Sequence, residues 1–371
     1  MTQAERASPL FSPLSIRGVT ARNRIMVSPM CQYSSVEGMP NDWHLVHLGG
    51  FAVGGAGLVV AEATAIEARG RISPSDLGIW SDAHVAPLAR LAEVIGQNGA
   101  VPGIQLAHAG RKGSTKVPWI PGSRALGPEE GGWSPVVAPS PIPFGDGYPV
   151  PHALTVTEIA DIVRAWAAAT RRAREAGFKL IEIHAGHGYL LHQFFSPVAN
   201  QRTDAYGGSF EGRTRIGLEV VEAIRGEWPA DLPLFMRLSA TDWIDDRPSW
   251  TLADSIALAR LVGGRGVDLI DCSSGSMVRS ATVPEGPGFQ VPFAEAIRRD
   301  AGIMTAAVGM ITGAEQAEEI IASGKADLVA LGRALLVDPH WPLRAARTLG
   351  VEGPWPDQYL RARQTVVGPL A

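Results

Sequence analysis

Cysteine is scarce in this sequence of 371 residues: only Cys31 and Cys272 occur. Two thiols cannot build a disulfide framework or a four-cysteine metal site. Lys and Arg form no long run, and the formal net charge is −4. A nucleic-acid surface needs clustered basic residues, so no nucleic-acid partner is expected. No apolar run approaches the roughly 18 residues that span a bilayer. The opening segment, MTQAERASPLFSPLSIRG, lacks the uninterrupted apolar stretch of a secretory signal. The expectation is a soluble, cytoplasmic protein with no membrane contact. Two motifs are missing as well. No G-x-G-x-x-G follows a strand-like run, because the glycines of GGFAVGGAGLV (49–59) are differently spaced and precede one. No His-x-His occurs, the pair that metal-dependent barrel hydrolases place after a strand.

What the chain does have is a recurrent pattern. Short apolar runs lie at 23–30, 57–66, 101–110, 179–186, 232–241, 268–275, 303–310 and 326–333. Each is bounded by Gly, Pro or polar residues, as suits strands buried on both faces. Between them lie segments of helical period. The segment 155–177 opens on Thr155 with Glu158 three residues on, a capping box, and closes on Gly177. Segments 251–266 and 312–326 repeat that start and stop pattern. Strands alternating with helices predict a parallel sheet, and eight strands close a single-domain (β/α)8 TIM barrel. A barrel of this length is ordinary as one domain. The competing doubly wound open sheet needs the glycine turn that is missing. Residues 111–154, rich in Pro and Gly, read as an elaborated loop after the third strand that caps the site.

In such a barrel the chemistry sits at the C-terminal strand ends. Polar or small residues fall at all eight. The first run ends in Ser28, Pro29, Met30 and Cys31, with Tyr33 beyond; the second carries Glu62, Ala63 and Thr64. Gln105 and His108 follow in the third, and His184, His187 and Tyr189 in the fourth. Arg237 interrupts the apolar fifth; Ser273 and Ser274 end the sixth, Gly309 the seventh, and Gly332 and Arg333 the eighth. Gly309, Gly332 and Arg333 occupy the usual phosphate position of the fold. Arg237, inside the barrel mouth, needs an anionic partner: a ligand, or a carboxylate such as Glu182. A flat, hydrogen-bonding, phosphate-bearing cofactor would use Gln105, Arg237 and Arg333 together. His184 and His187 admit three readings: metal ligands, satisfied core histidines, or two donors gripping a carbonyl or nitro oxygen. The third fits the nearby phenol, since Tyr189 could then supply a proton. His44 and His47 form a second such pair, expected on the helix after the first strand.

Taken together, NRIMVSPMCQYS, IQLAHAGR, IEIHAGHGYLLHQFFSPVANQRTDAYGGSFEGRTR, FMRLS and ALGRALLVDP resemble the Old Yellow Enzyme family of flavin-dependent ene-reductases. The likeness runs in order along almost the whole chain. Cys31 with Tyr33 is similar to the bacterial, thermophilic-like subclass. The resemblance implies bound FMN that takes hydride from NADPH or NADH and passes it to an activated C=C bond, both using one site in turn. It implies that Ser28, Pro29, Met30, Cys31, Ala63 and Gln105 line the flavin. Arg237 would face its N1/C2=O side, and Gly309, Gly332 and Arg333 would take the phosphate. It implies that His184 and His187 bind the substrate oxygen, Tyr189 protonates and Tyr33 touches the substrate. Cys31 would tune the flavin; its plain reading is a buried thiol. No metal is implied. The branch with an iron–sulfur cluster and a further nucleotide-binding domain does not fit two distant cysteines and this length.

Two positions depart from the family pattern. Gly186 stands where Ala is common, which should loosen the loop slightly, and Gly212 replaces an Asn, which puts one hydrogen bond of a helix start in question. The tail, 351–371, contains WPDQYLRAR, similar to the segment that reaches a neighbour's active site in this subclass. Arg361 aligns with the reaching arginine. The resemblance therefore implies a homodimer or homotetramer, with enones or nitro compounds as small-molecule substrates.

Overall fold

The computed structural model describes residues 8–122 and 124–365. Eight parallel strands close a barrel: β1 Ile25–Val27, β2 Leu58–Ala65, β3 Val101–Ala107, β4 Leu180–Ala185, β5 Leu234–Ser239, β6 Leu269–Ser273, β7 Met304–Ala307 and β8 Leu328–Leu331. Closure comes where β8 pairs with β1, Val329 opposite Ile25. Each strand falls inside one of the eight apolar runs. Almost every strand residue is buried, because one face fills the barrel and the other meets the helices. Met26, Leu58, Val60, Phe235, Ala306 and Ala330 pack inside the barrel. Ile16 and Ala21, from the hairpin Leu14–Ile16/Val19–Ala21, join that cluster and close the end away from the site.

The helices form where capping and period direct them. Helix α3 (Val156–Glu175) begins at Thr155, whose hydroxyl accepts from Glu158 N at 3.2 Å while Glu158 accepts from Thr155 N at 2.7 Å. Its buried residues Ile159, Ile162, Trp166, Ala169 and Ala173 recur at three- and four-residue spacing, which turns one face to the sheet. Helix α6 (Leu252–Gly263) repeats the box with Thr251 and Asp254. Helix α8 (Ala314–Ala322) does not: its cap is Gly313, and Thr312 N instead donates to the Gln316 side chain at 3.1 Å. His44 and His47 lie on α1 (Asp42–Val53), where His44 completes a capping box with Asn41.

The residues after β3 carry little regular structure. They include short 3-10 turns and the pairing of Val137–Ala138 with His152–Ala153. The tail ends in α11 (Leu360–Thr365), and residues 366–371 lie outside the described part. Among the described residues no helix is long and apolar enough to cross a membrane.

Candidate active site

Inward-pointing residues alternate along each strand, so every strand delivers its last inward side chain to one mouth. There a cleft of about 710 Å³ opens. Ser28, Pro29, Met30 and Cys31 form its wall after β1, and Gln105 comes from β3. Ala63 arrives through a bulge: the β2–β3 ladder slips between Ala61 and Ala63. That extra residue turns Ala63 into the cleft and sends Glu62 behind it. Glu62 accepts from Gln32 N at 2.8 Å and pairs with His44 at 3.1 Å. His184, His187, Tyr189 and Arg237 occupy one side of the cleft, and Gly309, Gly332 and Arg333 the strand ends of β7 and β8. Tyr33 is outside this wall; its ring meets Trp119 of the 111–154 segment with centroids 5.7 Å apart. Arg361 is exposed on α11 and is not part of its own chain's cleft.

The loop after β4 is tightly held. Gly188 has φ +68°, and a Cβ there would lie 2.2 Å from the Ser276 carbonyl oxygen. His187 itself adopts φ +54°, and Tyr33, Ser276 and Met310 around the site are also left-handed. Such conformations persist only where surrounding structure fixes them. His187 N donates to Ser239 Oγ at 2.8 Å. A Cβ on Gly186 would meet Ser239 N at 2.8 Å, so glycine here permits close packing and does not loosen the loop. The other departure is equally structural: Gly212 N donates to Ser209 Oγ at 3.2 Å, and a Cβ would strike the Gly207 carbonyl oxygen at 2.2 Å. The helix start keeps its bond.

The imidazoles form a chain. Gly186 N donates to His184 Nδ1 at 3.4 Å, which leaves the His184 proton on Nε2. His184 Nε2 lies 3.4 Å from His187 Nδ1, and His187 Nε2 lies 2.6 Å from Ser273 Oγ. Burial, reinforced by the Arg237 charge, holds both rings well below the usual histidine range, so both are neutral at pH 7. The Tyr189 ring stands edge-on to His184 at 4.9 Å. Burial raises its phenol well above 10, so it keeps its proton. Burial, then Glu62 and Asp76, likewise push the Cys31 thiol up.

Several contributors were not among the predicted residues. Ser273 was noted only as a strand end, yet it fixes His187. Lys112 donates to the His187 carbonyl at 2.8 Å and lies 4.9 Å from the Tyr189 ring centre. Burial, then Arg111 and Arg124, lower its ammonium to about 7. Arg237 pairs with Asp271 at 3.3 Å, not with Glu182, and donates to Ser28 Oγ at 2.8 Å. Glu182 instead accepts from Gln105 Nε2 at 2.7 Å. Strand register decides this: Arg237 sits opposite Asp271, and Gln105 opposite Glu182. Among the described residues no three His, Cys, Asp or Glu side chains converge as a metal-binding group.

The donor set fits FMN. Among the residues that line the cleft, Gln105 and Arg237 could meet the polar edge of the ring, Met30 and Ala63 its apolar face, and Gly309, Gly332 and Arg333 its phosphate. Gly309 has φ +114°, and a Cβ would crowd Gln290 Nε2 at 2.8 Å.

Comparison with known proteins agrees. Residues 9–352 match the model of the NADH:flavin oxidoreductase / NADH oxidase family. The NADPH dehydrogenase of Geobacillus thermodenitrificans (strain NG80-2) is 47% identical over 354 residues, 95% of this chain and 98% of that protein. Morphinone reductase in complex with tetrahydroNAD superposes with a TM-score of 0.75 at 27% identity, covering 94% of this chain and 93% of that one. A 2-naphthoyl-CoA reductase superposes with a TM-score of 0.80 at 26% identity over 92% of this chain, which spans only 52% of that longer protein. The chain belongs to the NADH:flavin oxidoreductase / NADH oxidase family, the Old Yellow Enzyme family, and is an FMN-dependent oxidoreductase that draws hydride from a reduced nicotinamide.

Proposed function

We propose that this enzyme is an NADPH-dependent ene-reductase acting on α,β-unsaturated carbonyl and nitro compounds. The observation that carries the reading is the joint placement of two neutral imidazoles and a protonated phenol on one side of the cleft. FMN, when bound, would supply the hydride chemistry that links the nicotinamide to the substrate's β-carbon. The chain's own groups deal with the charge and the proton. If Ser273 donates its hydroxyl proton to His187 Nε2, the His187 proton sits on Nδ1, next to His184 Nε2. The two nitrogens, 3.4 Å apart, then both donate to one substrate oxygen. They are strongest there when that oxygen gains charge, which is the condition for catalysis. Tyr189 gives its proton to the α-carbon. Ser28, Pro29, Met30, Cys31, Ala63, Gln105 and Arg237 hold the flavin, and Gly309, Gly332 and Arg333 its phosphate. Tyr33, beside Trp119, borders the substrate.

The proposal extends to a cytoplasmic homo-oligomer in which Arg361 serves the neighbouring subunit's cleft. Its exposure on α11, apart from its own cleft, supports that reading. NADPH is the donor named in the description of the Geobacillus thermodenitrificans relative. The test is anaerobic reduction by NADPH followed by mixing with 2-cyclohexenone. Fast return of the oxidised flavin spectrum with formation of cyclohexanone is expected. Enzyme that NADPH bleaches but neither enones nor nitroalkenes reoxidise would defeat the proposal.

A further inference from the structure

Two acids, Glu182 and Asp271, lie fully buried in the barrel, one layer below the cleft and outside its wall. Glu182 precedes His184 by two residues on β4, and Asp271 precedes Ser273 by two on β6, so both point inward. Arg237, on the strand between them, is the one cation paired with them among the described residues. The other strands line the interior with Met26, Val60, Ala306 and Ala330, which carry no charge.

Donors and acceptors do not balance if both acids are ionised. Gln105 Nε2 serves Glu182 Oε1, and Arg237 Nε faces Asp271 Oδ2. Glu182 Oε2 and both oxygens of Asp271 have no hydrogen-bond donor, and Arg237 Nε meets Asp271 only as an ion pair. The site would also hold one buried cation against two buried anions. Two fully buried carboxyls against one cation favour a proton on one of them, and burial raises both acids above the usual carboxylate range. Placed on Glu182 Oε2, the proton leaves Oε1 to accept from Gln105 and Asp271 charged against Arg237.

We propose that Glu182 and Asp271 share one proton and act as positioning residues that set the pattern Gln105 and Arg237 show to the flavin. Because Glu182 Oε1 only accepts, the Gln105 amide must turn its NH2 downward and its carbonyl oxygen to the cleft. Asp271 holds Arg237 by Nε, which leaves the outer guanidinium edge for the cofactor. The cleft thus shows an acceptor next to a donor. That is the complement of the flavin's pyrimidine edge, where N3–H adjoins C2=O. A second carboxylate would also cancel the Arg237 charge that reduced flavin requires. The inference rests on Gln105 and Arg237 facing the flavin, as proposed above.

Burial, then the Asp271 charge, raise the Glu182 carboxyl well above the usual carboxylate range. Negative charge on the reduced flavin raises it further, so reduction at a pH where Glu182 is ionised in the oxidised enzyme takes up one additional proton. The flavin midpoint potential should therefore fall more steeply with pH on the alkaline side, where Glu182 ionises. One extra proton for two electrons adds ~30 mV per pH unit. Glu182→Gln, a neutral isostere of the protonated acid, should stay yellow, match the parent potential at pH 7 and lose the steep limb. A Glu182→Gln variant that keeps the steep limb overturns the proposal. A second measurement needs no variant: redox-difference infrared spectra of the parent enzyme should show a protonated-carboxyl C=O band that shifts in D2O. Absence of that band equally overturns it. Arg237→Lys separates the premise: an unchanged potential there means Arg237 does not face the flavin, which refutes the placement and not the shared proton.

Discussion

Replacing Ser273 by Ala removes one hydrogen bond and no substrate contact proposed above. Its hydroxyl lies 2.6 Å from His187 Nε2; Ser273 is buried and His187 half-buried at the cleft. Without it, nothing selects the tautomer that puts the His187 proton on Nδ1, so part of the population presents a lone pair to the substrate oxygen. A net hydrogen bond contributes about 0.5–1.5 kcal/mol. At about 1.4 kcal/mol per factor of ten, that is a loss of roughly 2- to 13-fold. The loss should be seen twice: in the affinity for a phenol whose oxygen mimics the enolate, and in the rate of flavin reoxidation by 2-cyclohexenone. Reduction by NADPH places no charge on that oxygen position and should change little. His187→Ala, which deletes the donor outright, should cost more, about 10²- to 10³-fold in reoxidation. If Ser273→Ala leaves phenol affinity and reoxidation untouched, or slows both half-reactions alike, the tautomer argument is wrong.

Tyr189→Phe should slow reoxidation by enone about 10²-fold or more while sparing reduction by NADPH; equal slowing of both steps would remove Tyr189 as proton donor. Since burial and Arg237 hold both imidazoles below the usual range, they stay neutral as pH falls through about 6.5. Phenol affinity, corrected for the ligand's own ionisation, should then be flat between about pH 5.5 and 7.5; an inflection near the ordinary histidine value contradicts this. Gly188→Ala forces a side chain into a left-handed backbone facing Ser276 and should destabilise by about 1–3 kcal/mol. A calorimetric scan with an unchanged midpoint would show that the loop relaxes at no cost.

The eight strands were legible because burial on both faces writes a continuous apolar run, and each run ended where polar residues were needed. The helix starts at Thr155 and Thr251 were legible because a capping box is a local device. The start near Thr312 was not, since its cap is a glycine without a side-chain bond. Ala63 stood beside Glu62 and Thr64 at a strand end, and only the resemblance singled it out for the flavin, because period-two counting across the bulge assigns the wrong neighbour to the cleft. The sequence left the partner of Arg237 open between a ligand and a carboxylate such as Glu182, and the carboxylate it meets is Asp271. Glu182 and Asp271 are equally acidic in the sequence, and only barrel register separates them. Ser273 and Lys112 carry no motif of their own, because their importance comes from what stands opposite. Gly186 and Gly212 read as losses in one dimension; in three they are sites where a methyl group has no room.

The most direct test of the account follows the hydrogen atoms. NADPH carrying deuterium at C4 is supplied with 2-cyclohexenone in ordinary water, and the product is examined by NMR. The account predicts cyclohexanone with one deuterium at the former β-carbon and a solvent-derived proton at the α-carbon. Deuterium on the carbonyl carbon of an alcohol, or no saturated ketone at all, would contradict it.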